Sequence, residues 1–287
     1  MDARPLNSEI LKTLDSNLPG LRELQDAIGN FEWISIVDLA DSYNQFPIKK
    51  EDQMKTAFTW NGKQWMFTGV PFGLKIMTGH MQRIMEKLLG RFGRFPFQDD
   101  VAIPTKLGGD HTQDVLEILK CLTYEAGLRF RLKKCKFFVT EAKVLGSLVM
   151  RNGLRMDPLK IKAILEWPKP VDGKAMQRFM GAANFHREFS HKFAELAAPL
   201  KEVRNIIGPI HWMERRIQAF EEVKKLFADN LMLRSIDWSK TVYLTTDASL
   251  TGVGAWIGQK DDLEEIKPVV CVSKKLNPAQ QRWSPTK

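Results

Sequence analysis

Two adjacent carboxylates, Asp99 and Asp100, stand between the short apolar segments Arg94-Phe95-Pro96-Phe97 and Val101-Ala102-Ile103. That pattern predicts strand, tight turn and strand, with both acids at the turn. Side chains alternate along a strand, but a turn can aim neighbouring carboxylates into one space. Like charges so close repel and raise one pKa unless a cation lies between them. Hard divalent ions such as magnesium take oxygen ligands of this kind, together with substrate phosphates. Taken alone, the pair reads more simply as a solvated turn, since Asp is a common turn residue. The surrounding chain gives it another meaning.

Upstream, Leu18-Pro19-Gly20 is a break, and Leu21, Leu24 and Ile28 follow helical spacing. Trp33 to Val37 is rich in β-branched residues and predicts a strand with Ile34, Ile36 and Asp38 on one face. A carboxylate on an isoleucine face is costly if buried unpaired. Asp38 is therefore expected at the strand end, facing a site. A helix N-cap is an equal alternative. Met54–Trp60 and Lys63–Phe67 predict a hairpin around Asn61-Gly62. Val70-Pro71-Phe72-Gly73 reads as a loop. Met77, His80, Met81, Ile84, Met85 and Leu88 mark one helical face, a core stripe in which His80 is structural.

After the carboxylate turn, Val115, Ile118, Leu119 and Leu122 predict a second helix, stopped by Gly127. Leu128, Phe130 and Leu132 alternate with Arg129, Arg131 and Lys133, which predicts a half-buried strand with a basic outer face. A further hairpin should join Val144–Met150 to Leu154–Met156 through Asn152-Gly153. The first part is thus β-α-β-β-α-β, a sheet with helices on one side. It makes the strands of Asp38 and of Asp99-Asp100 candidate neighbours.

From Asp157 the character is helical. Asp157-Pro158 and Asp172 read as helix starts. Met176, Phe179, Met180 and Ala183 mark one face, and Phe193, Leu196, Ala197 and Leu200 mark another, broken or bent at Pro199. Residues 151–205 carry eleven Lys/Arg against six Asp/Glu, a net +5. A basic helical bundle beside a carboxylate site suits a nucleic-acid clamp, although a charge-rich helix is more often a solvated face. A helix around Phe220, Val223 and Phe227 follows. Three strands, Val242–Asp247, Val253–Ile257 and Val269–Val272, then predict an antiparallel meander opening a second α/β unit. Without a following helix such a sheet keeps an uncovered face, so the C-terminus is expected to cut through a domain.

Composition sets the outer bounds. A length of 287 residues suits about two domains. The net charge of +9 favours a polyanionic partner. Cys121, Cys135 and Cys271 form neither a zinc spacing nor a disulfide framework, which fits a reducing compartment. No apolar run approaches a membrane span and Met1–Leu11 has no signal core. An intracellular protein with no membrane partner is expected.

Together the motifs resemble the polyprotein of a gypsy-type long-terminal-repeat retrotransposon, over its reverse transcriptase and the start of its ribonuclease H. Asp2-Ala3-Arg4-Pro5-Leu6-Asn7 resembles a fingers segment and Ile36-Val37-Asp38-Leu39 with Ser42-Tyr43 resembles motif A. Lys55-Thr56-Ala57-Phe58 is a family tetrapeptide, and Val70-Pro71-Phe72-Gly73-Leu74-Lys75 resembles motif B. Phe97-Gln98-Asp99-Asp100 resembles motif C. Gly127-Leu128 with Lys133-Lys134-Cys135-Lys136-Phe137 resembles motif D. Leu145-Gly146 and Asp157-Pro158 resemble the approach to the thumb, and Thr246-Asp247-Ala248-Ser249 the first ribonuclease H motif. The ordered set spans nearly the whole chain and is specific.

The resemblance implies an α+β fold: partial fingers and palm of a right-hand polymerase over 1–156, helical thumb and connection over 157–235, and a truncated ribonuclease H-like α/β domain over 236–287. It implies RNA-directed DNA polymerisation with two metal ions, Mg2+ or Mn2+, held by Asp38, Asp99 and Asp100. Asp41 to Tyr43 would lie under the incoming deoxynucleoside triphosphate, with Tyr43 as the steric gate against a 2′-hydroxyl. Phe72, Gly73 and Gln82 would line the nucleotide and template. Lys133 would be the motif D lysine, with Lys134 the alternative alignment. The partners would be deoxynucleotides and an RNA or DNA template with its primer.

The pattern also departs from the family. The fingers strands that carry triphosphate-binding cations are missing ahead of Met1. Motif B has Thr78 for proline and Met81 for phenylalanine, with Gly79 inside the helix. Motif C has Phe97 for tyrosine, after Pro96, which must sit on an edge strand, at a first position or at a bulge. Asp247 is the single ribonuclease H carboxylate, and Trp283-Ser284-Pro285-Thr286 resembles the run before the next. These departures imply weakened polymerisation, or a catalytically silent nucleic-acid-binding remnant, and no ribonuclease H activity.

Overall fold

The computed structural model describes residues 3–9, 20–92, 95–97, 99–228 and 232–283. Asp2 of the fingers segment, Leu18-Pro19 of the first break, Arg94, Gln98 of the turn and Ser284-Pro285-Thr286 lie outside the described residues. The chain divides into two compact units, 1–144 and 145–287.

In the first unit, helices α1 (Arg4–Glu9) and α2 (Leu21–Ile28) precede strand β1 (Trp33–Asp38). A short helix, α3 (Lys50–Gln53), leads to the hairpin β2 (Phe58–Trp60) and β3 (Lys63–Trp65). Asn61 and Gly62 both take positive φ, 49° and 71°, as a two-residue hairpin turn of this twist requires. Helix α4 (Met77–Leu89) is followed by β4 (Phe95–Phe97), β5 (Asp100–Thr105), α5 (His111–Lys120), a wider π-turn over Cys121–Glu125, β6 (Lys136–Val139) and β7 (Glu141–Val144). The central sheet is antiparallel in the order β4-β5-β1-β6. Val37 on β1 and Val101 and Ile103 on β5 meet Met81, Met85 and Leu89 of α4 and Val115 and Ile118 of α5 in one buried core. Both helices therefore cover one face of the sheet, as the patterning predicts. β4 is an edge strand, which accommodates Pro96.

A buried polar chain fixes the end of the β1–β5 ladder remote from the carboxylates. The Ser35 hydroxyl lies 2.7 Å from His111 Nε2, and Thr105 Oγ1 lies 2.7 Å from His111 Nδ1 and donates to Asp114. The Phe138 N–H donates to the Ser35 hydroxyl over 3.1 Å. The network ties β1, β5, α5 and β6 together with the polar groups of a buried core paired.

Some local expectations differ from the structure. Helix α4 buries Met81, Gln82, Met85 and Leu89, while His80 and Ile84 are exposed. The polar Gln82 hid the true face; it is buried because its amide is satisfied inside the protein. Leu128–Leu132 forms no strand. It meets the sheet through a bridge from Phe130 to Leu39, with Arg131 N donating to Asp38 O, and then turns, with Lys134 N–H donating to Arg131 O, so Leu132 is exposed. Strand β6 begins after that turn.

The second unit opens with the hairpin β8 (Ser147–Met150) and β9 (Gly153–Met156). Its turn is Arg151-Asn152, one residue earlier than the Asn-Gly signal suggests. Gly153 belongs to β9 because that strand is flanked by β10 (Met232–Arg234), and a Cβ there would come within 2.1 Å of Leu233 O. Between them lie α6 (Pro158–Leu165), α7 (Gly173–Phe185), α8 (Phe193–Leu196), α9 (Ala198–Lys201) and α10 (Glu214–Ala228). Asp157 and Asp172 cap α6 and α7 by accepting from Leu159 N and Ala175 N. Phe179, Phe193, Phe220 and Phe227 are fully buried among these helices. The meander β11 (Tyr243–Ala248), β12 (Gly252–Lys260) and β13 (Ile266–Lys275) completes the unit. Among the described residues no helix is long and apolar enough to cross a membrane.

Candidate active site

The antiparallel register places Asp38, the last residue of β1, directly opposite Asp100, the first residue of β5. Residues opposite one another share a face. Asp38 and Asp100 therefore lie on the face turned away from α4 and α5. Asp99 occupies the turn before Asp100, and its carbonyl accepts from Leu39 N over 3.0 Å. The three carboxylates named from the sequence are thus brought to one end of one pair of strands, with only Asp99 in the turn itself.

The 129–135 segment closes the other side of β1. Arg131 N donates to Asp38 O over 2.9 Å, and Asp38 N donates to Cys135 Sγ over 3.4 Å. This path brings Lys134 Nζ to 3.5 Å from Asp38 Oδ2. Lys133 is exposed and makes no such contact, so the lysine at the carboxylates is the alternative alignment, Lys134. Arg131, Cys135 and Gln45 are neighbours that sequence reasoning did not select. Gln45 bridges Arg129 in both directions, 2.7 Å from its N–H and 3.0 Å to its carbonyl. No spacing rule predicts such a contact between loops so distant in sequence.

Asp38 Oδ1 is buried and has no hydrogen-bond partner among the described residues. Asp100 is pushed up to about 6, first by burial and then by the charges of Asp99 and Asp38, against which Lys134 acts weakly. A buried carboxylate oxygen without a partner among the described residues, beside a carboxyl raised by burial and by its like-charged neighbours, is chemistry that suits a hard cation. The donor set fits a divalent ion. Among the described residues, however, no three ligating side chains are gathered tightly enough to hold one as they stand.

Of the residues expected to line the nucleotide, Tyr43 and Phe72 are in contact. Tyr43 meets Phe72 edge to face, with ring centroids 5.4 Å apart, and its hydroxyl lies 3.4 Å from Thr78 Oγ1. Gly73 takes φ 95°, and its carbonyl accepts from Asn7 Nδ2 over 2.7 Å. Asp41 takes a left-handed φ of 46° and pairs with Arg131 at 2.8 Å, which turns its carboxylate to solvent. Gln82 is 2% exposed and donates to Pro96 O and to Glu86, each over 2.9 Å. Asp247 lies on β11 opposite Gly254 and is exposed.

A family model described as reverse transcriptase (RNA-dependent DNA polymerase) matches residues 1–149, and one described as an RNase H-like domain found in reverse transcriptase matches 212–287. The retrovirus-related Pol polyprotein from transposon gypsy of Drosophila melanogaster is 29% identical over 99% of this chain. That from transposon opus is 29% identical over 93%. The chain spans 28% of the length of each. The transposon Tf2-7 polyprotein of Schizosaccharomyces pombe is 28% identical over 99% of the chain, which spans 21% of it. Among solved structures, the foamy viral protease-reverse transcriptase in complex with RNA/DNA hybrid aligns with a TM-score of 0.83. It is 23% identical over 99% of this chain and 39% of that one, a likeness of fold.

The electrostatics of the carboxylates set a pH dependence. The folded pKa of Asp100, about 6, lies above the ordinary 3.8, so the fold favours the neutral acid. Its contribution is fully present below about pH 4 and is lost as pH rises through 6. Asp100→Asn does not titrate. In thermal melts with chelator, the variant should be more stable than wild type above pH 6, and the gap should close below pH 4. A gap that is constant across pH would mean that neither burial nor the neighbouring carboxylates raise Asp100 in the folded chain.

Proposed function

Because the chain belongs to the reverse transcriptase (RNA-dependent DNA polymerase) family, we propose that it joins deoxynucleotides to a primer on an RNA or DNA template as the polymerase segment of a gypsy-type retrotransposon polyprotein. The observation that carries the reading is the Asp38–Asp100 register, with Asp99 in the adjoining turn. In this reading residues 1–156 form partial fingers and palm, 157–235 thumb and connection, and 236–287 the start of a ribonuclease H domain.

Asp38, Asp99 and Asp100 would hold the ions, Mg2+ or Mn2+. When bound, two such ions polarise a primer 3′-hydroxyl and offset charge on a leaving pyrophosphate. The chain's own groups do the positioning. The β1–β5 ladder sets the spacing of Asp38 and Asp100, and Lys134 balances Asp38 until the site is loaded. Lys133 would be reached only by a rearrangement of the turn. The ring of Tyr43, steadied by Phe72, closes the space that a 2′-hydroxyl would need. Gly73 lets the backbone approach the nucleotide, Gln82 steadies the motif C strand beneath it, and Asp41 orients Arg131.

In the second unit, half-buried Lys201 is held below the usual ammonium range by burial and by repulsion from Lys275, Arg187 and Arg204. A cavity of about 500 Å³ opens there, lined by Gln177, Asn184, Lys201, Arg204 and Asn205 among others. Cations crowded together without acidic partners among the described residues suit the phosphates of a primer–template. A second reading, a catalytically silent nucleic-acid-binding remnant, is favoured by one observation: the ligands are not gathered, and Lys134 sits on Asp38. Within residues 236–287 Asp247 alone gives an ion too few oxygen ligands, so this segment by itself is not expected to cut RNA.

Primer extension on a labelled RNA template with Mg2+ or Mn2+ tests the central claim. Wild type should extend the primer and leave the RNA strand uncut. Asp99→Asn should abolish extension, because an amide is a poor ligand for these ions. Undiminished extension by that variant would remove the assignment, and metal-dependent RNA cleavage lost in Asp247→Asn would reverse the ribonuclease H expectation.

The sugar gate has its own readout. Tyr43→Val should raise ribonucleotide relative to deoxynucleotide incorporation on one template. An unchanged ratio with activity retained would take Tyr43 out of the site.

For the clamp, binding should weaken steeply with salt. Lys201→Glu with Arg204→Glu should flatten the slope of log K against log salt by roughly one for each phosphate no longer neutralised. A wild-type affinity that is flat with salt would leave these residues as solvated surface.

A further inference from the structure

The β2–β3 hairpin is a two-stranded sheet on its own. Such a hairpin is marginal in water unless something packs on it. Its surface is also unusually aromatic: Trp60 is 67% exposed and Trp65 50%. Phe58 stands opposite Trp65, and Trp60 opposite Lys63. Opposed residues share a face, as do residues two apart on one strand. Phe58, Trp60, Lys63 and Trp65 therefore form one face, and Thr59 and Gln64 the other. Phe67 extends the aromatic side, 5.3 Å from Phe58.

The position of the hairpin ties it to the site. At its foot, Ile48 N donates to Thr68 O over 2.9 Å and Val70 N to Phe46 O over 3.0 Å. These bonds join the segment after Tyr43 to the segment before Phe72. The hairpin thus rises from the same wall that brings Tyr43 and Phe72 together. Its charge is equally specific. Lys49 pairs with Glu51 and Lys55 with Asp52, whereas Lys50 and Lys63 have no acidic partner among the described residues.

We propose that this aromatic face is a stacking platform for single-stranded nucleic acid, the unpaired template just beyond the polymerase site. The inference rests on the polymerase reading above. Bases of any sequence can stack on indole rings, while free ammonium groups meet phosphates. A second copy of the chain fits less well. A self-complementary contact would bury Lys63 against the same face of its partner, which carries no acidic residue to pair with it.

The experiment compares two primer–templates that share one duplex, one blunt and one with a 5′ template extension of roughly eight nucleotides. The full chain is titrated with each, and the readout is the ratio of the two Kd values. Wild type should bind the extended form about tenfold tighter or more, as one stacked base can provide. Trp60→Ala with Trp65→Ala should bring that ratio to one and leave the blunt Kd unchanged. Trp60→Phe, which keeps a ring, should retain most of the ratio. A ratio that persists in the double variant overturns the proposal, as does an equal weakening of both substrates. A wild-type ratio of one with blunt binding intact overturns it alone. Failure to bind either duplex overturns the polymerase reading as well. Sedimentation showing a wild-type dimer that the double variant dissolves would assign the face to self-association instead.

Discussion

The pairing of β1 with β5 is the constraint on which the first unit depends. An antiparallel ladder has a side-chain period of two, so a slip of one residue would turn every side chain to the opposite face. The observed register places Val37, Val101 and Ile103 under the helices and, by the same parity, Asp38 and Asp100 on the other face. The core and the carboxylates are thus fixed by one choice. The Ser35–His111–Thr105–Asp114 chain secures the remote end of the ladder, where a slip would break several buried hydrogen bonds at once.

The carboxylate end works against stability. Asp38 keeps a buried oxygen without a partner among the described residues, and Asp100 is buried near two like charges. Burying such groups is costly unless a cation compensates. The apolar contacts of Met81, Met85, Leu89 and Ile118 oppose that cost from the other face of the sheet. A site that strains the fold in this way is common where function needs charge in one place.

Much of this was legible in the sequence because it rests on local chemistry. Asn61-Gly62 announced its hairpin, Asp157-Pro158 and Asp172 announced their helices, and alternating apolar residues announced β1. The neighbourhood of Asp38 and Asp100 was legible as a candidate from the order of elements. What stayed hidden was set by contacts distant in sequence. Gln82 looks like a solvent-facing residue until Pro96 O is placed beside it. The 128–132 alternation has the period of a strand, yet the chain spends it crossing the end of β1 and bringing Lys134 to Asp38. The Asn152-Gly153 turn moved by one residue because the neighbouring β10 claims Gly153.

The edge strand β4 has one more consequence. Phe97 and Asp100 close a two-residue turn, so the next pair, Pro96 and Val101, directs its main-chain groups outward rather than across the ladder. At that outward position proline has no N–H to offer, and its carbonyl is already taken by Gln82. In a three-residue strand there is no second outward site. An open sheet margin ordinarily invites another chain to add a strand and so begins aggregation. Here the middle residue of that margin is buried and offers neither an N–H nor a free carbonyl, so the edge beside the carboxylates gives an added strand nothing to pair with there.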